Sequence, residues 1–185
     1  MKNCLTVLIS FFSLSLFAQQ KPTDLDKSPL DVSYSPSNFP ILKMNGKQTE
    51  GPFARVLYSR PQKAGRTIFG GIVNYEQVWR LGANEATEIE FFKNARVTGK
   101  NISKGRYSMY AICHEKTWTI VLNNEKDVWG LFYNAKKDVF RTDVPVQLTE
   151  VITENFTMYF EDGKDNSTKL IIMWDNERVE LPISY

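Results

Sequence analysis

From Phe53 onward the chain is built of short runs in which apolar and polar residues alternate, with turn residues between one run and the next. Successive side chains of an extended strand point to opposite faces, so this alternation buries one face of a sheet and wets the other. Thr87–Phe91 shows it plainly: Thr87, Ile89 and Phe91 fall on one face, Glu88 and Glu90 on the other. Phe53–Ser59, Thr67–Val73, Tyr107–Ile112, Trp118–Leu122 and Phe156–Phe160 also read as strands, and Val139–Leu148 is a less regular one. Asp162–Asn166 is a cluster of turn residues. Leu170–Trp174 and Arg178–Ile183 flank the short polar stretch Asp175-Asn176-Glu177, which predicts a closing hairpin. No long window carries the 3.6-residue apolar stripe of a helix, and only Glu125–Tyr133 has room for a helical turn or two. The expectation is an all-β chain with little helix: an antiparallel β-sandwich or flattened barrel of about nine or ten strands.

The N-terminus has a different character. Lys2 is followed by an almost unbroken apolar run from Leu5 to Phe17 and a small residue, Ala18, which predicts a signal peptide over 1–18, cleaved on export to the periplasm or beyond the cell. The run is shorter than the roughly 20 residues a membrane-spanning helix needs, and no later segment approaches that length, so no transmembrane segment is expected. Residues 19–50 contain Pro22, Pro29, Pro36 and Pro40 and read as an extended lead-in, leaving 51–185 as a single β domain. With 23 Lys and Arg against 21 Asp and Glu spread along the chain, nothing gives the electrostatic footprint of a nucleic-acid binder. Cleavage removes Cys4 and leaves Cys113 as the sole thiol, so no internal disulfide forms. A single His, His114, and a single Cys cannot furnish an ordinary zinc set, and no metal or cofactor is implied.

Chemistry concentrates in Trp79-Arg80-Leu81-Gly82-Ala83-Asn84-Glu85-Ala86-Thr87, where a cation, an amide, a carboxylate and a hydroxyl surround a glycine free to bend sharply. Arg60 and Arg66 lie upstream, within reach if neighbouring strands pair antiparallel. Planar guanidinium forks suit a carboxylate, phosphate or sulfated sugar, and an indole such as Trp79 offers a stacking face. The candidate ligand-binding set is therefore Arg60, Arg66, Trp79, Arg80, Asn84 and Glu85. The same residues also fit a purely structural role, with Arg80 and Glu85 paired across a turn and Trp79 filling the core.

The stretches Tyr58-Ser59-Arg60-Pro61, Gly65-Arg66-Thr67-Ile68-Phe69-Gly70, Trp79–Thr87, Lys104-Gly105-Arg106-Tyr107-Ser108 and Trp118–Asn123 together resemble the domain of unknown function 2911 family. The resemblance runs from about residue 30 to the end. It implies an exported protein of the kind found in Bacteroidetes-type bacteria and brings no established activity. The chain departs from the family's habit at Cys113, where a proline is frequent, and at Leu81, where a smaller or hydroxyl residue is. Arg60, Arg66, Arg80, Asn84 and Glu85 fall on its motif positions.

Three functions remain open on these grounds. The first is an exported module binding a small polar or anionic ligand, such as a glycan, at an Arg/Asn/Glu pocket. The second is a hydrolase with Glu85 as general acid or base and Arg80 stabilising developing negative charge. The third is a structural or interaction protein of the cell envelope.

Overall fold

The computed structural model describes residues 23–185, and the leader read at 1–18 lies outside them. In chain order the strands are β1 (Leu30–Ser35), β2 (Ala54–Ser59), β3 (Val78–Trp79), β4 (Thr87–Phe91), β5 (Ala95–Val97), β6 (Lys100–Ile102), β7 (Gly105–Cys113), β8 (Thr117–Asn123), β9 (Asp138–Pro145), β10 (Gln147–Asp162) and β11 (Ser167–Ser184). One short helix, α1 (Phe39–Met44), follows β1, and a single 3-10 turn spans Ala135–Lys137. Among the described residues no helix is long and apolar enough to cross a membrane.

Two antiparallel sheets form a sandwich that does not close into a barrel. The larger runs β1-β2-β4-β7-β8-β9, with β3 also on β7; the smaller runs β10-β11-β5-β6. The alternation read in the sequence decides which side chains meet between them. Thr87, Ile89 and Phe91 are buried, whereas Glu90 faces out and pairs with Arg55 across the β2–β4 register at 2.6 Å. Phe156, Met158 and Phe160 of β10 and Leu170, Ile172 and Trp174 of β11 close the core from the other sheet. The β5–β6 hairpin turns through Thr98 and Gly99, both with positive φ, the geometry that a two-residue hairpin loop requires.

The lead-in segment contributes to this architecture, since β1 pairs along its whole length with β2. Three expectations are corrected. Thr67–Val73 is not a strand: Gly70 takes φ +76° and the backbone folds back, Val73 N donating to Ile68 O at 2.9 Å. Glu125–Tyr133 forms no helix and runs as an irregular loop over the outer face of the large sheet. Leu170–Ile183 is no hairpin but one strand, β11. There Asp175 bends the chain at φ +53° and pairs with Lys63 Nζ at 2.6 Å. Glu177, only 5 % exposed, accepts the Trp118 indole N–H at 2.9 Å. The hairpin partner of β11 is β10, reached through the turn cluster at Asp162–Asn166, while β5 pairs with the C-terminal end of β11, and β10 accommodates bulges between Leu148 and Thr157.

Candidate functional site

β3 and β4 lie end to end along the same side of β7: Val78 and Trp79 face Ile112 and Ala111, while Thr87–Phe91 face Met109–Gly105. The seven residues between them, Arg80 to Ala86, leave the sheet as a compact excursion. Thr87 N donates to Arg80 O at 3.3 Å, and the Thr87 hydroxyl bonds Leu81 O, closing its base. Leu81 is wholly buried and anchors it. Gly82 is needed where it stands, because its φ is +142° and a Cβ there would sit 2.9 Å from Ser59 O.

The loop Asp127–Tyr133 clamps this excursion from outside. Ala86 N donates to Val128 O at 3.2 Å, Gly130 N donates to Asn84 O at 3.0 Å, and Glu85 and Trp129 form an isolated bridge. Gly130 is the contact point: any Cβ on it would lie 2.2 Å from Arg80 Cδ. The Arg80 stem therefore runs directly beneath the loop backbone. Below the loop, Tyr110 is fully buried on the outer face of β7 and packs edge-on against Tyr133, ring centroids 4.9 Å apart. Its hydroxyl has no partner among the described residues.

The six sequence candidates separate into distinct environments. Arg60 is occupied by the protein, with Nη1 donating to Asp31 Oδ2 and Nη2 to Thr157 Oγ1, each at 3.0 Å, which ties β1 to β10. Arg66 wraps its own loop, Nε donating to Lys63 O at 3.0 Å and Nη2 to Gln62 O. Trp79 belongs mostly to the core: its ring stacks on Trp174 at 5.8 Å and meets Trp118 edge-on at 5.6 Å, and its indole N–H donates to Gly82 O at 3.3 Å. Asn84, at φ +59°, donates from its side chain to Asp26 Oδ2 at 3.1 Å. Arg80 and Glu85 do not pair. They line different cavities, Arg80 with Trp79 in one and Glu85 in another.

The Arg80 cavity has a volume of about 340 Å³ and is bounded by Asn74, Gln77, Val78, Gly130, Leu131 and Tyr133 among others. The Arg80 guanidinium makes no ion pair or hydrogen bond with the described residues, and its Nε is buried without a partner. Burial pulls its ordinarily high pKa down. Nearby, burial and then the hydrogen bond to Asp138 push the Tyr133 phenol up to about 12. That phenol sits in a network in which Asp138 Oδ2 accepts from Tyr133 OH at 2.5 Å and from Arg141 Nη2 at 2.6 Å. Cys113 is buried and its thiol is pushed far up by burial, which makes it inert as a nucleophile. Among the described residues no three His, Cys, Asp or Glu side chains come together as a metal set.

Sequence reasoning missed the clamping loop, because its contribution is made by backbone and by a glycine. Gly130 inside a stretch read as helical was the available signal. A family model described as a protein of unknown function (DUF2911) matches residues 43–183. No curated protein and no solved structure matches the chain.

Proposed function

The chain belongs to the DUF2911 family, which is defined by sequence and not by an activity, and for this member we propose an exported binding module for a small anionic carbohydrate, held by Arg80. The observation that supports the reading is a guanidinium on a cavity wall that, among the described residues, has no carboxylate to neutralise it and a buried N–H with no acceptor. A buried donor left unpaired is costly, and an anion placed against it recovers that cost as a charge-assisted hydrogen bond. The size of the cavity suits a monosaccharide. The amide side chains of Asn74 and Gln77, which lie on its rim and already bond one another at 3.3 Å, supply donors and acceptors for ring hydroxyls. The signal peptide read in residues 1–18 supports export to the periplasm or beyond, where sugar acids and sugar phosphates are met as free solutes or chain ends.

The hydrolase reading is weakened by the same geometry, since Glu85 and Arg80 line different cavities and cannot act on one bond. Binding is tested by calorimetric titration of the purified protein with glucuronate, galacturonate, glucose 6-phosphate and inorganic phosphate. Saturable binding that disappears in Arg80→Met supports the reading. Absence of binding for every anion, or binding that survives the substitution, refutes it.

A further inference from the structure

We propose a second, separate site on this protein, a pocket for an organic ammonium or guanidinium group on the outer face of the large sheet, marked by Glu85, Asp127, Ser59 and Trp129. The cavity has a volume of about 370 Å³ and shares no lining residue with the Arg80 cavity. It lies on the other side of the clamping loop, with Trp129 on one flank of Gly130 and Leu131 on the other.

Its floor follows from strand alternation. Ala54, Val56 and Tyr58 of β2 point into the core, so Leu57 and Ser59 point outward, and both line the cavity. Glu88 of β4 and Arg106 of β7 project from the same outer face. The walls carry three carboxylates, Glu85, Glu88 and Asp127, against one guanidinium, Arg106. Arg106 engages two of them, Asp127 at 2.7 Å and Glu88 at 3.4 Å. Glu85 is left with neither an ion pair nor a hydrogen bond among the described residues. The pocket is therefore net negative, and its uncompensated charge is a carboxylate.

Carboxylates alone would not define a site. Ser59 adds an independent feature: it is 2 % exposed, it belongs to the outward-facing row of β2 that floors the cavity, and its hydroxyl has no partner among the described residues. Such a hydroxyl is completed by a ligand N–H donating to it. Trp129 adds another, since its indole is 46 % exposed at the mouth, held there by the Glu85–Trp129 bridge. An indole face beside a carboxylate is the arrangement that receives an organic cation, the ring by its quadrupole and the carboxylate by charge. The apolar share of the lining, Leu30, Leu57, Ala86 and Val128, fits the methyl or methylene groups around such a nitrogen.

The test uses methylguanidinium chloride as the probe, titrated into the protein at constant ionic strength and followed by two-dimensional NMR, with the Trp129 indole resonance as reporter. Saturable shifts at Trp129 are expected. They should weaken about tenfold in affinity in Trp129→Ala, from the loss of the cation–π contact, and at least as much in Glu85→Gln. The Glu85 side chain makes no hydrogen bond or ion pair among the described residues, and the backbone bridge to Trp129 is untouched by the substitution, so Glu85→Gln should keep its melting temperature, and Glu150→Gln, an exposed carboxylate on β10, should bind as the parent does. No saturation, equal binding by Glu85→Gln, or equal loss in Glu150→Gln overturns the proposal. The cation site and the anion site stand or fall separately.

Discussion

Replacing Arg80 by methionine separates a ligand-binding guanidinium from a structural one. Methionine keeps an unbranched stem, so the packing beneath Gly130, where the Arg80 Cδ nearly fills the space of a missing Cβ, is conserved. What is removed is the charged head and a buried Nε–H that has no acceptor among the described residues. An unsatisfied buried donor costs about 1–3 kcal/mol, and since Arg80 is only half-buried the lower end applies, about 1 kcal/mol. In a chain of this size that corresponds to a melting temperature roughly 2–4 °C higher. The ligand response should move in the opposite direction. A ligand at about a hundred times its Kd stabilises the folded state by about 2.7 kcal/mol, or roughly 5–10 °C, and this rise should be present in the parent and missing in Arg80→Met. Differential scanning fluorimetry with and without glucuronate measures both. A variant that melts about 3 °C or more below the parent would show that the guanidinium holds the fold together, and the inference from its unpaired state would fail.

The remaining predictions concern the scaffold around the site. Gly82→Ala combines a left-handed φ with a Cβ 2.9 Å from Ser59 O, so it should cost about 2–3 kcal/mol in urea unfolding, and a loss under about 0.5 kcal/mol would show that the excursion has room to relax. Lys63→Met removes the partner of Asp175 from a pair whose side chains are only 22 % and 15 % exposed, and should destabilise by about 1–3 kcal/mol in the same assay, whereas Lys93→Met on the exposed Glu50 pair should change stability by less than about 1 kcal/mol. For Glu177, burial raises the carboxyl pKa, opposed by the Trp118 N–H and assisted by the Asp175 charge. Its folded value lies above its unfolded one, so its protonated form favours the fold below the ordinary carboxylate range, and that contribution is lost as pH rises through the folded value. Glu177→Gln should therefore gain on the parent between pH 4 and pH 7, and a pH-independent difference would refute the assignment.

The sheet-forming runs were legible because burial selects one face of a strand and leaves that choice in the sequence with a period of two. Thr87–Phe91 is the clear case. What escaped were places where polar residues serve the interior. Asp175-Asn176-Glu177 has the composition of a hairpin tip, yet Asp175 anchors Lys63 and Glu177 caps the Trp118 indole, so the strand continues through a stretch that local chemistry would end. Composition registers a carboxylate but not the buried donor that needs it, and that donor lies 59 residues away in the chain. The candidate site shows the converse. The sequence picked out Arg80 and Glu85 together because they are close along the chain, but the excursion between β3 and β4 turns them to different cavities, and the partner each lacks is supplied by no other residue described. Proximity in sequence suggested an ion pair; the fold instead leaves a half-buried cation and an exposed anion, each lining its own cavity. With Glu85 exposed, an ion pair between these two charges would contribute little to stability, and their separation into two cavities is the physical ground for expecting ligands of opposite sign at the two sites.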